Sequence, residues 1–372
     1  MTHATIVIGG GLVGMAVANG LADAGHEVVV LDEGDDAFRA SIGNAGLAWV
    51  QGKGRGAPAY AAWTRLSADL WPEFAESLRA ETGIDIEFSK PGGFDLCIGD
   101  ADAEIRSRKV EALQRQPGGG NGVVMVDRNF VKERVPDIGE RVVAASWCPE
   151  DGYLNPLLLL RALHRRAADR GVSYRPGVRA ERIAPAGGGI RVDARDGTTF
   201  VGAAIVIAAG LGNAELCRQV GLNVPVRPVR GQIVVTARQP IFLRHPTSTI
   251  RQTAVGSVMF GNSEEEAGFE PVTTGGILAR HAERALLEFP RLADAAVVRA
   301  WAALRIMTPD GRPVYDRSPT LPNVFVATCH SGVTLAAVHA RVLGPALGRG
   351  EIPPQCAAFA SARFDVPAAL GT

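Results

Sequence analysis

A β-prone run over Ala4–Ile8 stops at Gly9-Gly10-Gly11-Leu12-Val13-Gly14, and no other stretch restricts the fold of this chain as much. The residues that follow, Met15 to Asp23, are helical in pattern, with Val13, Val17 and Leu21 on one apolar stripe. Gly25-His26 closes that helix, and a second β-branched run, Glu27–Leu31, ends in Asp32-Glu33. Strand, glycine turn, helix, strand and acid fall within about 30 residues, the span of a dinucleotide-binding βαβ unit. Gly9 permits the tight turn, Gly11 lets a pyrophosphate approach the backbone, and Gly14 lets helix and strand pack closely. The helix N-terminus then offers N–H groups and a positive dipole end to phosphate. Asp32 stands where an acid accepts hydrogen bonds from a ribose. Two other triplets act as controls: Gly118-Gly119-Gly120 follows a proline, and Gly187-Gly188-Gly189 joins two strand-like runs. Neither opens a helix, so both read as loops.

Composition narrows the class. With 372 residues, 47% of them hydrophobic, the chain has material for two domains or one large one with an insertion. Its 44 Gly and 23 Pro stay below the share that signals low-complexity disorder. Equal numbers of basic and acidic residues, 39 each, argue against nucleic acid as the main partner. Basic pairs such as Arg165-Arg166 are followed closely by acids. No apolar run approaches a spanning helix, and no basic segment precedes the apolar N-terminus as in a secretory leader. Cys97, Cys148, Cys217, Cys329 and Cys356 are scattered and never CxxC, which fits neither a disulfide framework nor a metal site. The cytoplasm is the expected compartment, with any membrane association through partners.

The middle of the chain bears on which dinucleotide is bound. After Asn155-Pro156 a helix runs from Leu157 to Asp169 and stops at Gly171. Three strand-like runs follow, Val178–Ile183, Ile190–Ala194 and Thr198–Val201, then the apolar run Ala203–Ala208 ending in Ala209-Gly210. A three-stranded antiparallel crossover back into a parallel sheet suits FAD-binding proteins better than a simple NAD domain, where a helix makes that connection.

The sequence resembles the FAD-dependent amino-acid oxidases of the D-amino-acid oxidase, glycine oxidase and sarcosine oxidase superfamily over nearly its whole length. The resemblance rests on Ser41-Ile42-Gly43-Asn44-Ala45-Gly46-Leu47, Arg230-Gly231-Gln232, Leu304-Arg305 with Thr308-Pro309-Asp310-Gly311-Arg312-Pro313, and Pro322 to Gly332. Asn44 to Gly54 is most similar to a bacterial subgroup of D-hydroxyproline dehydrogenases, opine oxidase catalytic subunits and a hydrogen-cyanide synthase subunit.

By that similarity Gly9, Gly11 and Gly14 with Leu12 and Val13 hold the pyrophosphate of FAD, and Asp32 and Glu33 bind the adenosine ribose. Ala40, Ser41, Asn44, Ala45, Gly46 and Leu47 line the ribityl chain and flavin ring, Val178 pairs its backbone with adenine, and Ala209-Gly210 add contacts. His330, Ser331, Gly332, Val333, Thr334 and Leu335 set N–H groups at the flavin pyrimidine, with Ser331-Gly332 opening an apolar helix. Arg305 grips the substrate carboxylate through two charge-assisted hydrogen bonds, or is a structural arginine. Gln51 and Lys53 reach the active site, or Lys53 is a solvated loop lysine. His330 shuttles protons or polarises the flavin. Ser331 stands where glycine oxidases carry an extra arginine, so a second carboxylate contact must come from elsewhere. Ala303 lies near the position where covalent members have cysteine, which implies non-covalent FAD, and Cys329 packs as a small buried residue. Trp63 and Trp71 read as core, and Glu264-Glu265-Glu266 as a solvated turn.

The fold expected is mixed α/β: a Rossmann-like FAD-binding domain (1–50, 151–224 and 308–372) with a three-stranded β-meander crossover, and a discontinuous antiparallel-sheet substrate domain (51–150 and 225–307). The second piece of the latter reads as strands Gln232–Thr236, Thr249–Thr253 and Ser257–Phe260, then a helix near Thr274–Glu288, with Arg305 at the domain junction. The resemblance implies oxidation of a C–N bond in an amino acid or secondary-amine acid. A hydride leaves Cα for flavin N5, and the imine formed is hydrolysed. Oxidation of a 2-hydroxy acid is the alternative on the same fold. The chain is alternatively one flavoprotein subunit, in a homo-oligomer or alongside subunits that carry further redox centres.

Overall fold

Thr5–Ile8 is buried at every position and pairs in parallel with Val28–Asp32 on one side and Ala204–Ile207 on the other. Strands covered on both faces need no polar alternation, which is why these segments read as continuous apolar runs. The computed structural model describes residues 4–34, 40–119 and 121–365. Its main sheet has six strands, ordered Val314–Arg317, Val324–Thr328, Ala204–Ile207, Thr5–Ile8, Val28–Asp32 and Ser173–Pro176, of which only the Val314–Arg317 edge is antiparallel. Ala180–Ala186, Gly189–Ala194 and Thr199–Gly202 form a separate antiparallel meander that carries the chain back into this sheet. The fold is therefore mixed α/β with the meander crossover the sequence implied. Gly187-Gly188 makes a turn of the meander, whereas Gly189 already belongs to a strand. Gly118 and Gly119 both take positive φ, and Gly120 lies outside the described residues.

Two antiparallel sheets make up the other layer. One is ordered Ile250–Gln252, Ser257–Phe260, Arg227–Arg238 and Val297–Met307; the other is Gly93–Ile98, Val142–Cys148 and Val124–Asp127. They share one apolar cluster in which Phe94, Leu96 and Val142 meet Val234, Ile250 and Phe260. The helix Gly275–Glu288 adds Ala285 to it. Arg305 sits within the long Val297–Met307 strand, opposite Val229.

Leu12–Asp23 packs on one face of the main sheet and buries most of its side chains; Pro156–Asp169 packs against it, and Pro58–Thr82 packs in turn against Pro156–Asp169. Asn155 caps Pro156–Asp169, accepting from the N–H groups of Leu157 and Leu158. Trp63 and Trp71 are core residues on Pro58–Thr82. Trp71 donates from Nε1 to the Thr334 carbonyl (3.0 Å). The pair Arg165-Arg166 divides in an unexpected way. Arg165 is exposed and pairs with Asp169, while Arg166 is 2% exposed and bridges Asp23 (2.9 Å) and Glu81 (2.9 Å). Arg166 thus ties all three helices together, because a buried charge is tolerated only with such partners. Among the described residues no helix is long and apolar enough to cross a membrane.

Removing the buried cation takes the shared partner from Asp23 and Glu81 at a three-helix junction and leaves both acids to Arg170, with Arg341 also near Asp23. We expect Arg166→Leu to lower stability by about 3 kcal/mol, read as a lower urea midpoint at unchanged slope. Arg165→Leu should leave the midpoint where it is. Equal midpoints for the two variants would refute the assignment.

Candidate active site

Two adjoining cavities, about 450 Å³ and about 340 Å³, open at the carboxyl ends of the parallel strands. This is where open α/β sheets bind ligands. Gly9, Gly11, Asp32, Glu33, Val178, Ala209 and Gly210 line the larger. Asn44, Ala45, Gly46, Leu47, Lys53, Arg305 and the segment His330, Ser331, Gly332, Val333 and Thr334 line the smaller. Leu12, Val13, Ala40 and Ser41 line both. Gly14, Leu335 and Gln51 line neither.

In the larger cavity the glycines act through close approach. A Cβ on Gly14 would stand 1.9 Å from the Gly9 carbonyl oxygen, and one on Gly9, at φ +115, 2.3 Å from the Ala208 oxygen. A side chain on Gly11 would meet Ser41 Oγ at 2.8 Å. Ser41 Oγ accepts from the Leu12 N–H (3.0 Å), so the Ala40–Gly43 turn sits against the start of the first helix. Asn44 fixes that turn, donating to the carbonyls of Ala40 and Ser41 and accepting from the Gly46 N–H. The Asp32 carboxylate accepts from the N–H groups of Gly10 and Gly34. It is held at the end of its strand rather than extended on a loose side chain. Glu33 pairs with Arg179 at 3.3 Å. The Val178 N–H donates to the Asp32 carbonyl (2.9 Å), so any backbone pairing with adenine there would have to use the Val178 carbonyl.

In the smaller cavity strand register sets the position of Arg305. Gly231 faces Ala303 and Val229 faces Arg305, so Gly231 lies diagonally beneath the guanidinium. A Cβ there would stand 2.3 Å from Nη1. Its neighbours in the motif clamp the covering loop: Arg230 pairs with Glu265 (2.8 Å), and the Gln232 amide reaches both Glu265 and Thr274. The acidic triplet is solvated at Glu264 and Glu266, which are exposed, but not at Glu265. Glu265 is anchored, Glu266 pairs with Arg227, and Glu264 lines the cavity. Arg305 donates to the Ser263 carbonyl and has no carboxylate partner among the described residues. Burial holds its guanidinium below the ordinary value, against the opposing pull of Glu264 and Glu265.

Lys53 is half-buried on the same wall, and burial, reinforced by Arg305, lowers its ammonium. His330 is held well below the usual imidazole value by burial and by Lys53 and Arg305, so the ring is neutral at ordinary pH. Gln51 is placed otherwise. Its amide donates to Asp151 (2.6 Å) and the Gly93 carbonyl (3.0 Å) and accepts from Ser146 (2.7 Å), which uses it in the protein interior. Asp151 also accepts from the N–H groups of Val50 and Gln51 and so fixes the turn that presents Lys53. Burial pushes its carboxyl up to about 7. The helix expected to open at Ser331-Gly332 starts only at Ala336. Residues 332–335 form a turn whose Thr334 Oγ1 accepts from the Trp49 N–H. Sequence reasoning missed Arg251, which is 4% exposed and lines the cavity from the Ile250–Gln252 strand. Its only signal was an arginine inside an otherwise ordinary strand.

Comparison with known proteins agrees with this layout. The sequence profile of the DAO family, FAD dependent oxidoreductase, matches residues 4–344. An opine oxidase subunit of Rhizobium meliloti is 38% identical over 360 residues, covering 96% of this chain and 97% of that protein. Its counterpart from Agrobacterium tumefaciens is 38% identical, covering 98% of each. The crystal structure of glycine oxidase from Geobacillus kaustophilus superposes with a TM-score of 0.88 at 26% identity, over 97% of this chain and 99% of that one.

The residues present fit FAD. Side-chain-free glycines border the larger cavity where a pyrophosphate would pass, and a helix start and a buried acid border it as well. Gly14→Ala should yield protein that retains less than a tenth of its FAD through gel filtration, because its methyl collides with backbone. Full flavin absorbance would count against the cradle. A second expectation concerns Asp151. Its folded pKa of about 7 exceeds the unfolded value of about 3.9, so its contribution to stability is lost as pH rises between those values. The melting temperature of wild type relative to Asp151→Asn should fall from pH 5 to pH 8. A constant difference would remove Asp151 as the titrating group.

Proposed function

The chain belongs to the DAO family of FAD dependent oxidoreductases, and on that premise we propose that it oxidises the C–N bond of an amino acid or secondary-amine acid of the D-amino-acid, hydroxyproline or opine type. The observation that carries this reading is Arg305, a half-buried guanidinium with no carboxylate partner among the described residues, facing a cavity that adjoins the dinucleotide cradle. Its fork matches a carboxylate. FAD, when bound along Gly9–Gly14, Ser41–Leu47 and His330–Thr334, supplies the acceptor for the two electrons and the hydrogen that leave Cα.

The protein's own residues do the remaining work. Arg305 clamps the carboxylate and so orients Cα. Lys53 and Arg305 disfavour a further positive charge, which favours the neutral amine whose lone pair assists oxidation. Neutral His330 contributes a polar contact at the same end without adding charge. Water then hydrolyses the imine to a keto acid and an amine or ammonia. Gln51 acts as a positioning residue through Asp151. FAD is held non-covalently in this reading. Ala303 offers no nucleophile, and the Cys329 thiol, pushed up to about 12 by burial, stays protonated.

The segments 1–50, 151–224 and 308–372 would form the FAD-binding part, and 51–150 with 225–307 the substrate part. Because the Rhizobium relative is one subunit of an opine oxidase, we also propose that this chain works with a partner polypeptide that takes up the electrons.

Anaerobic bleaching of the flavin by a panel of D-amino acids, proline derivatives, N-carboxyalkyl amino acids and 2-hydroxy acids tests the chemistry. At least one amine should bleach it, and Arg305→Leu should lower kcat/KM on the order of 100-fold, as expected for losing a pair of charge-assisted bonds. Bleaching by hydroxy acids alone would overturn the amine reading. Fast peroxide production by the isolated chain would overturn the partner.

A further inference from the structure

Four formally charged side chains line the smaller cavity: Arg251, Arg305, Lys53 and Glu264. The cations outnumber the acid by three to one, and none of the three forms an ion pair among the described residues. An α-carboxylate at Arg305 answers one of them. A second guanidinium, more completely buried than the first, has no such answer.

Arg251 is the middle residue of Ile250–Gln252, paired with Met259. Its Nε donates to the Ala45 carbonyl. Nη2 abuts Gly46, where an added Cβ would lie 3.3 Å away. The Tyr153 ring centroid is 6.0 Å from the guanidinium carbon, at the limit of a cation–π contact. Glu87 is the acid whose charge it feels, but it is not within ion-pair distance. Burial holds the Arg251 guanidinium down at about 10, low for arginine yet still charged at neutral pH. Leaving such a cation in a cavity is costly unless an anion meets it. Arg251 and Arg305 stand on the two edge strands of the four-stranded sheet, strands roughly 14 Å apart at three spacings, and they are also offset along the sheet, because Met259 and Val235 put Arg251 in register with Arg299 rather than with Arg305. They therefore enter the cavity from opposite sides.

We propose that Arg251 is a second carboxylate anchor and that the substrate is an amino acid carrying two carboxylates, one held by Arg305 and the other by Arg251. This rests on the amine-oxidation reading above. The extra carboxylate stands either across the amine nitrogen or at the end of the side chain, and both sources present the same group to Arg251. Lys53 stands on the same wall as Arg305 and adds to the attraction for a dianion.

The test uses unreactive ligands first. Diglycolate, with two carboxylates, and methoxyacetate, with one, are titrated calorimetrically into FAD-loaded enzyme. Wild type should bind diglycolate at least ten-fold tighter. Arg251→Leu should abolish that preference while retaining FAD with an unchanged flavin spectrum, and Arg305→Leu should weaken both ligands. Arg251→Gln keeps a donor for the Ala45 carbonyl and serves if the leucine variant does not fold; it should also lose the preference. Equal affinities in wild type, a preference that survives at Arg251, or loss of FAD from the Arg251 variants would overturn the proposal, the last by assigning Arg251 to the cofactor. Oxidation then locates the second carboxylate. Iminodiacetate is compared with N-methylglycine, and D-glutamate with D-norvaline. A ten-fold advantage in kcat/KM for the diacid of one pair identifies its place, and an advantage in neither overturns the anchor. Failure of every amine to reduce the flavin defeats the amine reading instead, while the calorimetric preference is read independently.

Discussion

The first helix is held against its surroundings by backbone rather than by side chains, and both cavities take their shape from that. Gly14 rides on the Gly9 carbonyl, Gly20 lies where a Cβ would be 2.3 Å from the Ala340 oxygen, and Gly344 lies where one would be 2.8 Å from the Val17 oxygen. Three points of contact along Leu12–Asp23 leave it no room to slide or rotate. Its N-terminus is thereby fixed at the carboxyl end of the sheet, beside Asp32 and Ser41. Arg166 locks the far end through Asp23. A nucleotide cradle built from backbone N–H groups needs this rigidity, since it has no flexible side chains with which to correct a misplaced helix.

Legibility followed the same division. Where function depends on close approach of backbone, only glycine fits, so Gly9, Gly11 and Gly14 and the acid at Asp32 were readable from type and spacing. The meander was readable because glycine and Asp-Gly turns separate its strands. Gly221, Gly231 and Gly261 show the limit, because their partners are distant in sequence. The need for Gly231 arises from the guanidinium of Arg305 across a strand pair, which no local pattern encodes.

Side chains in the smaller cavity were harder to read for a physical reason. Whether Gln51 meets a substrate or an interior acid depends on Asp151, one hundred residues later, reaching the same turn. The Glu264–Glu266 run looked solvated because consecutive acids are usually exposed, yet Arg230 and Gln232 draw the middle one inward. The Val297–Met307 strand was missed because it alternates weakly, and its stability comes from pairing along nearly the whole of Arg227–Arg238. In each case a long-range partner reversed what the local composition suggested.

Charge and scaffold are joined in that long strand pair. Placing Arg305 opposite Val229 puts its side chain on the cavity face and requires a glycine at 231. The residues on either side of that glycine then face the covering loop, where Arg230 and Gln232 anchor Glu265. Neutralising Arg230 by Glu265 is what leaves Arg305 without an acid of its own, since Glu264, the next residue, only lines the cavity wall. The same loop thus supplies one carboxylate to the scaffold and withholds another from the site. A cavity arranged this way holds its positive charge ready for a ligand, and the cost of burying that charge is recovered only when an anion enters.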